Sequence, residues 1–443
     1  MLLFCACLFS VETDALSHQP KNLSTLSLVF FIDWFILYCM KLVYVDYNAT
    51  TPLDEQVKKV FIEALELYAN GSSMHEDGRL VAKKIETARS QLAHLINCEP
   101  SELVFTSGGS ESNNTVFQTM NAHNFLSTSK YQRLYGGRKR IITTQIEHPC
   151  VLESARELAQ RGFTVEFLPV DSKGHIDVER YKALLEESKQ TDNPQQKVLL
   201  VSIMTANNEI GTIQPIKELC AYAHQAGALF HTDAVQAVGK IPVNVKDWDV
   251  DYLTISCHKI YGPKGVGALF VKSGVPFSSL IKGGHQEHGA RAGTYNAPSI
   301  IAFGEACKIA QEQLDSYYTH TKALRNSLCE TLLKHIPNIR INGDLEQGIP
   351  NTVDISFPGA EGEAILLHLD LCGIRASTGS ACASGSLESS HVLVATGVGP
   401  ELAHGSIRFS FGKYSTQADV DYICEVLPPI ISRLRSFSTL EVS

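Results

Sequence analysis

The sequence lacks the marks of a disulfide-stapled, nucleic-acid-binding or disordered protein. Its twelve cysteines are irregularly spaced along 443 residues and form no paired CxxC motif, so neither a disulfide framework nor a zinc-ribbon type of site is indicated. The 38 basic residues are outnumbered by 47 acidic ones, which leaves no positive surface for nucleic acid or anionic lipid. The 44% hydrophobic content is that of a globular protein. Unpaired cysteines indicate a reducing compartment, and we predict a cytoplasmic protein.

The longest apolar run lies near the N-terminus and does not fit a membrane span. It covers residues 26–38, is shorter than the ~20 apolar residues that cross a bilayer, and contains Asp33 in its middle. The residues before it lack the basic start of a secretory signal and include acidic side chains that a transit peptide avoids. We therefore interpret residues 1–39 as a leader of doubtful status, expect Met40 to be the functional start, and predict no membrane partner.

Helical and strand-like segments alternate in the first two thirds of the remaining chain. Apolar residues recur at spacings of three and four in 57–69 and 80–96, as in amphipathic helices. Strand-like runs, several of them apolar almost throughout, are 103–106, 140–143, 164–167, 198–202, 229–231, 252–255 and 267–271. This pattern predicts an α/β fold around a mostly parallel seven-stranded sheet. We place a large domain at 55–298 and a smaller α+β domain at 40–54 with 299–443.

A lysine at the end of an apolar strand is the most informative feature. The segment TISCHKIYGPKG, residues 254–265, runs from a strand through Lys259 into a glycine-rich turn. An amine placed there can form a Schiff base with a carbonyl cofactor. Asp233 ends another strand, and since the carboxyl ends of parallel strands share one crevice, we expect it beside Lys259. Pyridoxal 5′-phosphate needs both groups, an amine for its aldehyde and a carboxylate for its ring nitrogen.

Further candidates follow other strands at the same edge. The Ser-Gly-Gly-Ser turn at 107–110 precedes a helix, whose first N–H groups suit a phosphate, and Ser256 and His258 would add donors. His148 also follows a strand, where an imidazole can stack on a pyridine ring and exchange protons. Each of these features alone is more often structural than functional. Their common position at strand ends favours a cofactor site.

Taken in order, the motifs resemble those of the NifS-like cysteine desulfurases, members of the class V aminotransferase group of fold type I pyridoxal-phosphate enzymes. The resemblance runs from about Tyr44 to the C-terminal region. The matching motifs are 45–52, 106–113, 207–209, 231–236, 258–259, 291–294, 379–382 and 406–409. Their number and order make the resemblance specific. It implies pyridoxal 5′-phosphate as cofactor and L-cysteine as substrate.

The resemblance also implies a role for each residue around the cofactor ring. Lys259 matches the Schiff-base lysine, and Asp233 matches the partner of the pyridinium nitrogen. Gln236 matches the donor to the ring hydroxyl, and His148 matches the acid/base residue that stacks on the ring. The segment containing Asn207 belongs to the same group of cofactor contacts.

The phosphate group of the cofactor is implied to bind residues from two segments. Gly109 and Ser110 match one side of the phosphate cup, and Ser256 and His258 match the other. Thr294 matches a residue that reaches the phosphate of the neighbouring subunit. The resemblance therefore implies a homodimer with a shared active site.

The substrate and the sulfur are implied to be handled by a third group of residues. Arg408 and Asn207 match the clamp for the substrate carboxylate, and Asn48 is expected beside it. Cys382, in a loop of small residues, matches the thiolate that attacks the substrate sulfur and leaves alanine and an enzyme persulfide. The implied partner is a sulfur acceptor such as an iron–sulfur scaffold, and no nucleic acid is implied.

Three alternatives stay open at this point. A selenocysteine lyase shares the scaffold and the same lysine. A metal hydrolase would need a tight spacing of histidines such as HExxH, which the sequence does not contain, so we predict no metal site. A silent binding protein would have no evident need for the complete set of functional groups described above.

Overall fold

The computed structural model describes residues 41–122, 129–378 and 389–438. Residues 1–39, Met40 and Cys382 lie outside the described residues, and the predictions made for them stay predictions. The chain divides into two units, Met1–Leu42 and Val43–Ser443. Every helix and strand named below belongs to the second.

The strands within the described residues are β1 (Val43–Tyr44), β2 (Leu103–Thr106), β3 (Arg140–Thr144), β4 (Thr164–Leu168), β5 (Val198–Ser202), β6 (Leu229–Asp233), β7 (Tyr252–Ser256), β8 (Gly267–Val271), β9 (Arg340–Asn342), β10 (Thr352–Ser356), β11 (Ile374–Arg375) and β12 (Ser406–Ser410). The helices are α1 (Glu55–Leu65), α2 (Glu76–Ile96), α3 (Gly109–Asn121), α4 (Ser129–Tyr135), α5 (Pro149–Gln160), α6 (Val178–Gln190), α7 (Ile216–Gln225), α8 (Val245–Trp248), α9 (Ala297–His335), α10 (Gly362–Leu371), α11 (His391–Ala395), α12 (Pro400–His404) and α13 (Gln417–Phe437). Among the helices of the described residues, none has both the length and the hydrophobicity that a membrane-spanning helix needs.

A seven-stranded sheet organises the first part of the described chain, in the order β2-β8-β7-β6-β5-β3-β4. The five strands from β7 to β4 run parallel, and β8 is antiparallel to both of its neighbours. Each strand-like run predicted from the sequence is a strand of this sheet. The strands β5, β6 and β7 are buried along their whole length, as strands covered on both faces are. The predicted α/β class is confirmed.

A second set of strands forms a separate core. The sheet β12-β10-β9 is antiparallel, and β1 pairs in parallel with β11. Their apolar side chains pack together with those of α10, α13 and the C-terminal part of α9. The division into a large and a small domain stays a prediction, which the separate packing of this core supports.

A buried ion pair ties α2 to the turn that precedes α9. The guanidinium of Arg89 donates to both carboxylate oxygens of Glu287, at 2.8 and 2.6 Å, and both side chains are almost fully buried. Glu287 also accepts the backbone N–H of Phe105 on β2, at 2.8 Å. Helix, turn and sheet are therefore joined at one carboxylate.

We expect Arg89→Met to lower the free energy of unfolding by about 3–5 kcal/mol, because it leaves the Glu287 carboxylate buried without its cation. Urea denaturation followed by circular dichroism at pH 7 measures this. Arg156→Met is the matched control, since Arg156 pairs with Glu153 on the exposed face of α5 and such pairs contribute about 0–1 kcal/mol. Equal effects of the two substitutions would contradict the prediction.

Candidate functional site

A cavity of about 300 Å³ lies at the carboxyl ends of the parallel strands. Its walls come from the turns that follow β3, β5, β6 and β7, from the start of α3, from the segment after β1 and from β12. The predicted site residues that line it are Asn48, Gly109, Ser110, His148, Asp233, Gln236, Ser256, His258, Lys259 and Arg408. Sequence positions more than 300 residues apart therefore meet in one cavity.

Lys259 and Asp233 lie at the ends of neighbouring strands. Asp233 is the last residue of β6, and Lys259 ends the short turn that follows β7. The Lys259 amine donates to the backbone carbonyls of Asn48 and Ala49, at 2.5 and 2.8 Å. Carbonyl groups of the segment after β1 thus hold the Lys259 amine at the cavity wall.

The Asp233 carboxylate is fixed by two donors. Its Oδ2 accepts the Asn113 side-chain amide at 2.6 Å, and its Oδ1 accepts the backbone N–H of Val235 at 2.9 Å. Asn113 is fully buried, and its own Oδ1 has no hydrogen-bond partner among the described residues. The carboxylate is therefore held in one orientation at the cavity, as a group that pairs with a ring nitrogen must be.

The start of α3 and the turn after β7 present hydrogen-bond donors to the cavity. Gly109 and Ser110 begin α3, where the first N–H groups of a helix have no partner within the helix. A Cβ at Gly109 would lie 3.0 Å from Val235, so glycine permits the close approach of α3 to the turn that follows β6. Ser256 and His258 face the same space, and burial lowers the pKa of His258 to about 4. These neutral donors and the helix start suit a phosphate.

The His148 side chain is fixed because it is the N-cap of α5. Its Nδ1 accepts the backbone N–H of Cys150 at 3.2 Å, and the Cys150 sulfur lies 3.0 Å from the same nitrogen. Burial lowers the pKa of His148, an effect that the nearby charge of Asp233 opposes. The ring therefore lines the cavity in its neutral form at pH 7, with Nδ1 engaged by the protein.

Arg408, on β12, is a buried guanidinium whose two terminal nitrogens each contact one protein group and carry a second N–H group. Its Nη2 contacts Asp46 at 2.8 Å and its Nη1 donates to the Asn208 carbonyl at 3.1 Å. Its Nε has no partner among the described residues although it is buried. A guanidinium held in this way can still donate to an anionic ligand.

Two asparagines predicted to contact substrate serve the framework in this structure. Asn207 does not line the cavity, because its side chain donates to the Ile146 carbonyl and accepts two backbone N–H groups of its own turn. Asn48 lines the cavity, but its Nδ2 donates to the Asn208 carbonyl and to Thr352. Both therefore hold the turn that carries Asn208 beside Arg408.

Thr294 lies outside this cavity and lines a separate one near β2. The turn that carries it is tied to α3, since Arg291 contacts Glu111 at 3.0 Å. The role of Thr294 toward a neighbouring subunit stays a prediction. The dimer itself stays a prediction.

Three polar residues at or next to the cavity were not assigned from the sequence: Asn113 and Cys150, which line it, and Lys240, which contacts residues of its wall. Asn113 stands four residues after Gly109 on α3, a spacing that places both on one helix face and would have indicated it. Cys150 lines the cavity next to His148, and burial raises the pKa of its thiol to about 12. Lys240 contacts two residues of the wall, and no sequence pattern pointed to it.

His231, the first residue of the motif 231–236, does not line the cavity. His231 is buried inside the sheet, where it contacts Ser202 at 2.8 Å and Thr254 at 3.2 Å, and burial lowers its pKa to about 3. Across the described ranges, no group of three or more His, Cys, Asp and Glu side chains is placed to hold a metal ion.

Comparison with known proteins identifies the family. The model of the class-V aminotransferases matches residues 43–423. The chain belongs to the class-V aminotransferase family. This confirms the family predicted from the motifs, and with it the fold type I architecture.

Several relatives of this class-V family member are named cysteine desulfurases. A cysteine desulfurase of Nostoc sp. is 46% identical over 400 residues, which are 90% of this chain and 95% of the relative. Among solved structures, a NifS-like protein has 37% identity and a TM-score of 0.79, over 89% of this chain and 100% of its own. SspA in complex with cysteine has 30% identity and a TM-score of 0.70, over 84% of this chain and 100% of its own.

Buried Glu147, next to His148, makes the stability of the fold depend on pH. Burial raises the pKa of Glu147 from 4.5 to about 8, and burial raises that of Glu209 to about 7. Between pH 4.5 and 8 the folded chain holds the Glu147 proton that the unfolded chain releases. This contribution to stability is complete below the unfolded pKa and is lost as the pH rises through the folded one.

We therefore expect Glu147→Gln, which cannot ionise, to flatten the fall in stability at high pH. Its free energy of unfolding should exceed that of the wild type by about 1–3 kcal/mol at pH 8.5 and should match it at pH 5. Urea denaturation at both pH values measures this. Glu153→Gln, on the exposed face of α5, is the control and should show the same change in free energy of unfolding with pH as the wild type. If Glu147→Gln also showed the same change as the wild type, the prediction would be refuted.

Proposed function

We propose that this chain is a cysteine desulfurase that uses pyridoxal 5′-phosphate to remove sulfur from L-cysteine and release L-alanine. The observation that carries the proposal is the meeting of an amine, a carboxylate and a guanidinium in one cavity. Lys259, Asp233 and Arg408 line it together. The names of the relatives favour this activity over a selenocysteine lyase, which is the alternative on the same scaffold.

The residues of the cavity fit the proposed cofactor. Lys259 would hold its aldehyde carbon and Asp233 its ring nitrogen, while the start of α3 at Gly109 would receive its phosphate. The unpartnered Oδ1 of buried Asn113 is a further polar atom in the same wall. When bound, pyridoxal 5′-phosphate supplies an electron sink for the substrate α-carbon. The fixed Asp233 carboxylate would maintain that property by keeping the ring nitrogen protonated.

Arg408 would orient the substrate by its carboxylate. The contacts of Nη1 and Nη2 hold the guanidinium in the cavity wall, and the second N–H group of these nitrogens would form a charge-assisted hydrogen bond with the carboxylate. Asn48 and Asn207 would contribute by holding Asn208, whose carbonyl fixes Nη1. The name of the neighbour SspA in complex with cysteine agrees with an amino-acid substrate of this size.

His148 would move the proton during turnover. Its lowered pKa keeps the ring neutral at pH 7, so that it can take a proton from a bound substrate and return it. Because Nδ1 caps α5, the exchange would use Nε2. His148 would therefore act as acid/base through one nitrogen only.

Cys382 would take the sulfur as a persulfide. The chain leaves the described residues beside Arg408, with which Ser377 exchanges backbone hydrogen bonds, and returns where Ser390 contacts Glu209 and His391 contacts the carbonyl of Glu147. The described residues before and after the segment that contains Cys382 thus contact Arg408, which lines the cavity, and Glu147 and Glu209, which adjoin the lining residues His148 and Asn208. We further propose a homodimer in which Thr294 serves the partner, a cytoplasmic location, and an iron–sulfur scaffold or similar protein as sulfur acceptor.

We expect Lys259→Ala to lose covalent attachment of the cofactor and cysteine-dependent alanine formation, because Lys259 is the only lysine among the described residues that line the cavity. Borohydride reduction followed by peptide mass analysis locates the attachment. Lys264→Ala, on the exposed turn that follows, is the control and should behave as the wild type. Retention of a reducible cofactor and of normal turnover by Lys259→Ala would sink the assignment.

We expect Cys382→Ser to bind the cofactor and L-cysteine but to carry no persulfide, since a serine hydroxyl stays protonated at neutral pH. Mass analysis of the protein treated with L-cysteine measures this. Cys150→Ser is the control: burial keeps its thiol protonated, so its loss should leave the persulfide on Cys382. Sulfur found on Cys150 or Cys372, or normal desulfuration by Cys382→Ser, would show that another thiol does the chemistry.

A further inference from the structure

Lys240 is a buried lysine without an acidic partner among the described residues. Its side chain is 2% exposed, and its amine donates to Asn48 Oδ1 at 3.0 Å and to Gln236 Oε1. Burying an amine away from water is unfavourable unless its hydrogen bonds are replaced. The two amide oxygens replace them, so the position is built around this amine.

The amine determines which way the Gln236 amide points. With Oε1 turned to Lys240, the amide nitrogen faces the opposite direction and donates to the Asn48 carbonyl at 3.0 Å. That nitrogen carries two hydrogens, and Gln236 lines the cavity. The second N–H is therefore available to a ligand in the cavity. The reverse orientation would present an oxygen there.

The same amine also fixes Asn48. The Asn48 Oδ1 accepts from Lys240 and from Asn351 at 3.1 Å, which directs its Nδ2 to the Asn208 carbonyl. The Asn48 backbone carbonyl in turn accepts from Gln236 and from Lys259. Through Asn48 and Gln236, the Lys240 amine is thus connected to Lys259 and to the turn that carries Asn208.

The protonation state of Lys240 does not alter this arrangement. Burial lowers its pKa, and the charges of Lys259 and Arg408 act in the same direction. A neutral amine still has two N–H groups, enough for its two acceptors. The Gln236 and Asn48 nitrogens already donate elsewhere, so the amine remains the donor in both contacts.

We propose that Lys240 is a positioning residue of the cofactor site, which holds the Gln236 amide with its N–H group toward the ring hydroxyl of pyridoxal 5′-phosphate. The inference rests on the proposed function, because it names the group that Gln236 would serve. Lys240 itself touches neither the cofactor nor the substrate. It acts through the orientation of another side chain.

A double-mutant cycle of Lys240→Met and Gln236→Leu tests the proposal. The affinity of each apoprotein for pyridoxal 5′-phosphate is measured by fluorescence titration. We expect each single substitution to weaken binding by about five- to tenfold, as the loss of one hydrogen bond does, and the double variant to bind no more weakly than Gln236→Leu. Lys246→Met, an exposed lysine that pairs with Glu99, is the control and should bind as the wild type.

The visible absorption spectrum of the bound cofactor, recorded as a function of pH, gives a second readout that a purely structural role would not change. Loss of the donor leaves the negative charge of the ring oxygen less compensated. The midpoint pH at which the spectrum changes should therefore be higher in Lys240→Met than in the wild type. In the Gln236→Leu background the same substitution should not move it further. An equal rise in both backgrounds would mean that Lys240 acts by its charge, which would overturn the proposal. Unchanged affinity in Lys240→Met would overturn it as well.

A second variant covers the case in which Lys240→Met does not fold, which circular dichroism of the apoprotein would show. Gln236→Glu keeps an acceptor for Lys240 but has no N–H group, so we expect it to bind the cofactor as weakly as Gln236→Leu. Wild-type affinity in Gln236→Glu would refute the inference. Failure of the wild-type protein itself to bind pyridoxal 5′-phosphate would instead refute the proposed function.

Discussion

The hydrogen bonds of Asn48 join the three parts of the chain that make the site. Its backbone N–H donates to Ser410 on β12, its carbonyl accepts from Lys259 after β7, and its side chain donates to the Asn208 carbonyl after β5. Asn48 is 1% exposed, so each of these polar groups must find its partner within the protein. The geometry of the cavity depends on their being satisfied together.

Around this point the site is built from neutral or paired groups rather than from exposed charge. Burial depresses the pKa values of His148 and His258, while Asp233 and Arg408 each have partners that fix their orientation. An active site made in this way needs little reorganisation when a ligand arrives, since its dipoles are already oriented. The cavity thereby combines rigidity with a small number of open donors and acceptors.

The sheet could be predicted from the sequence because its strands are covered on both faces and are therefore apolar almost throughout. The predicted run 229–231 ended two residues early, since polar Thr232 and Asp233 continue β6 into the cavity. Lys259 and Asp233 could be recognised because strand ends in a parallel sheet meet at one edge. Lys240 could not, because its burial depends on Asn48, 192 residues away, and a lysine by itself indicates a surface position. The framework role of Asn207 was hidden for the same reason, since its partner Ile146 is distant in sequence.

The pairing of β1 with β11 has a consequence for the order in which the protein is made. Val43 lies opposite Ile374, and the Asn48 contact with Ser410 spans 362 residues of sequence. A ribosome must therefore synthesise nearly the whole chain before the N-terminal segment can reach its place, and until then the Lys259 amine has no carbonyls of Asn48 and Ala49 to bind. Closing so long a loop is slow compared with local helix formation, so an emerging chain would have its large sheet before it has a complete site. The cavity is therefore completed only after β12, which carries Arg408 and Ser410, has been made.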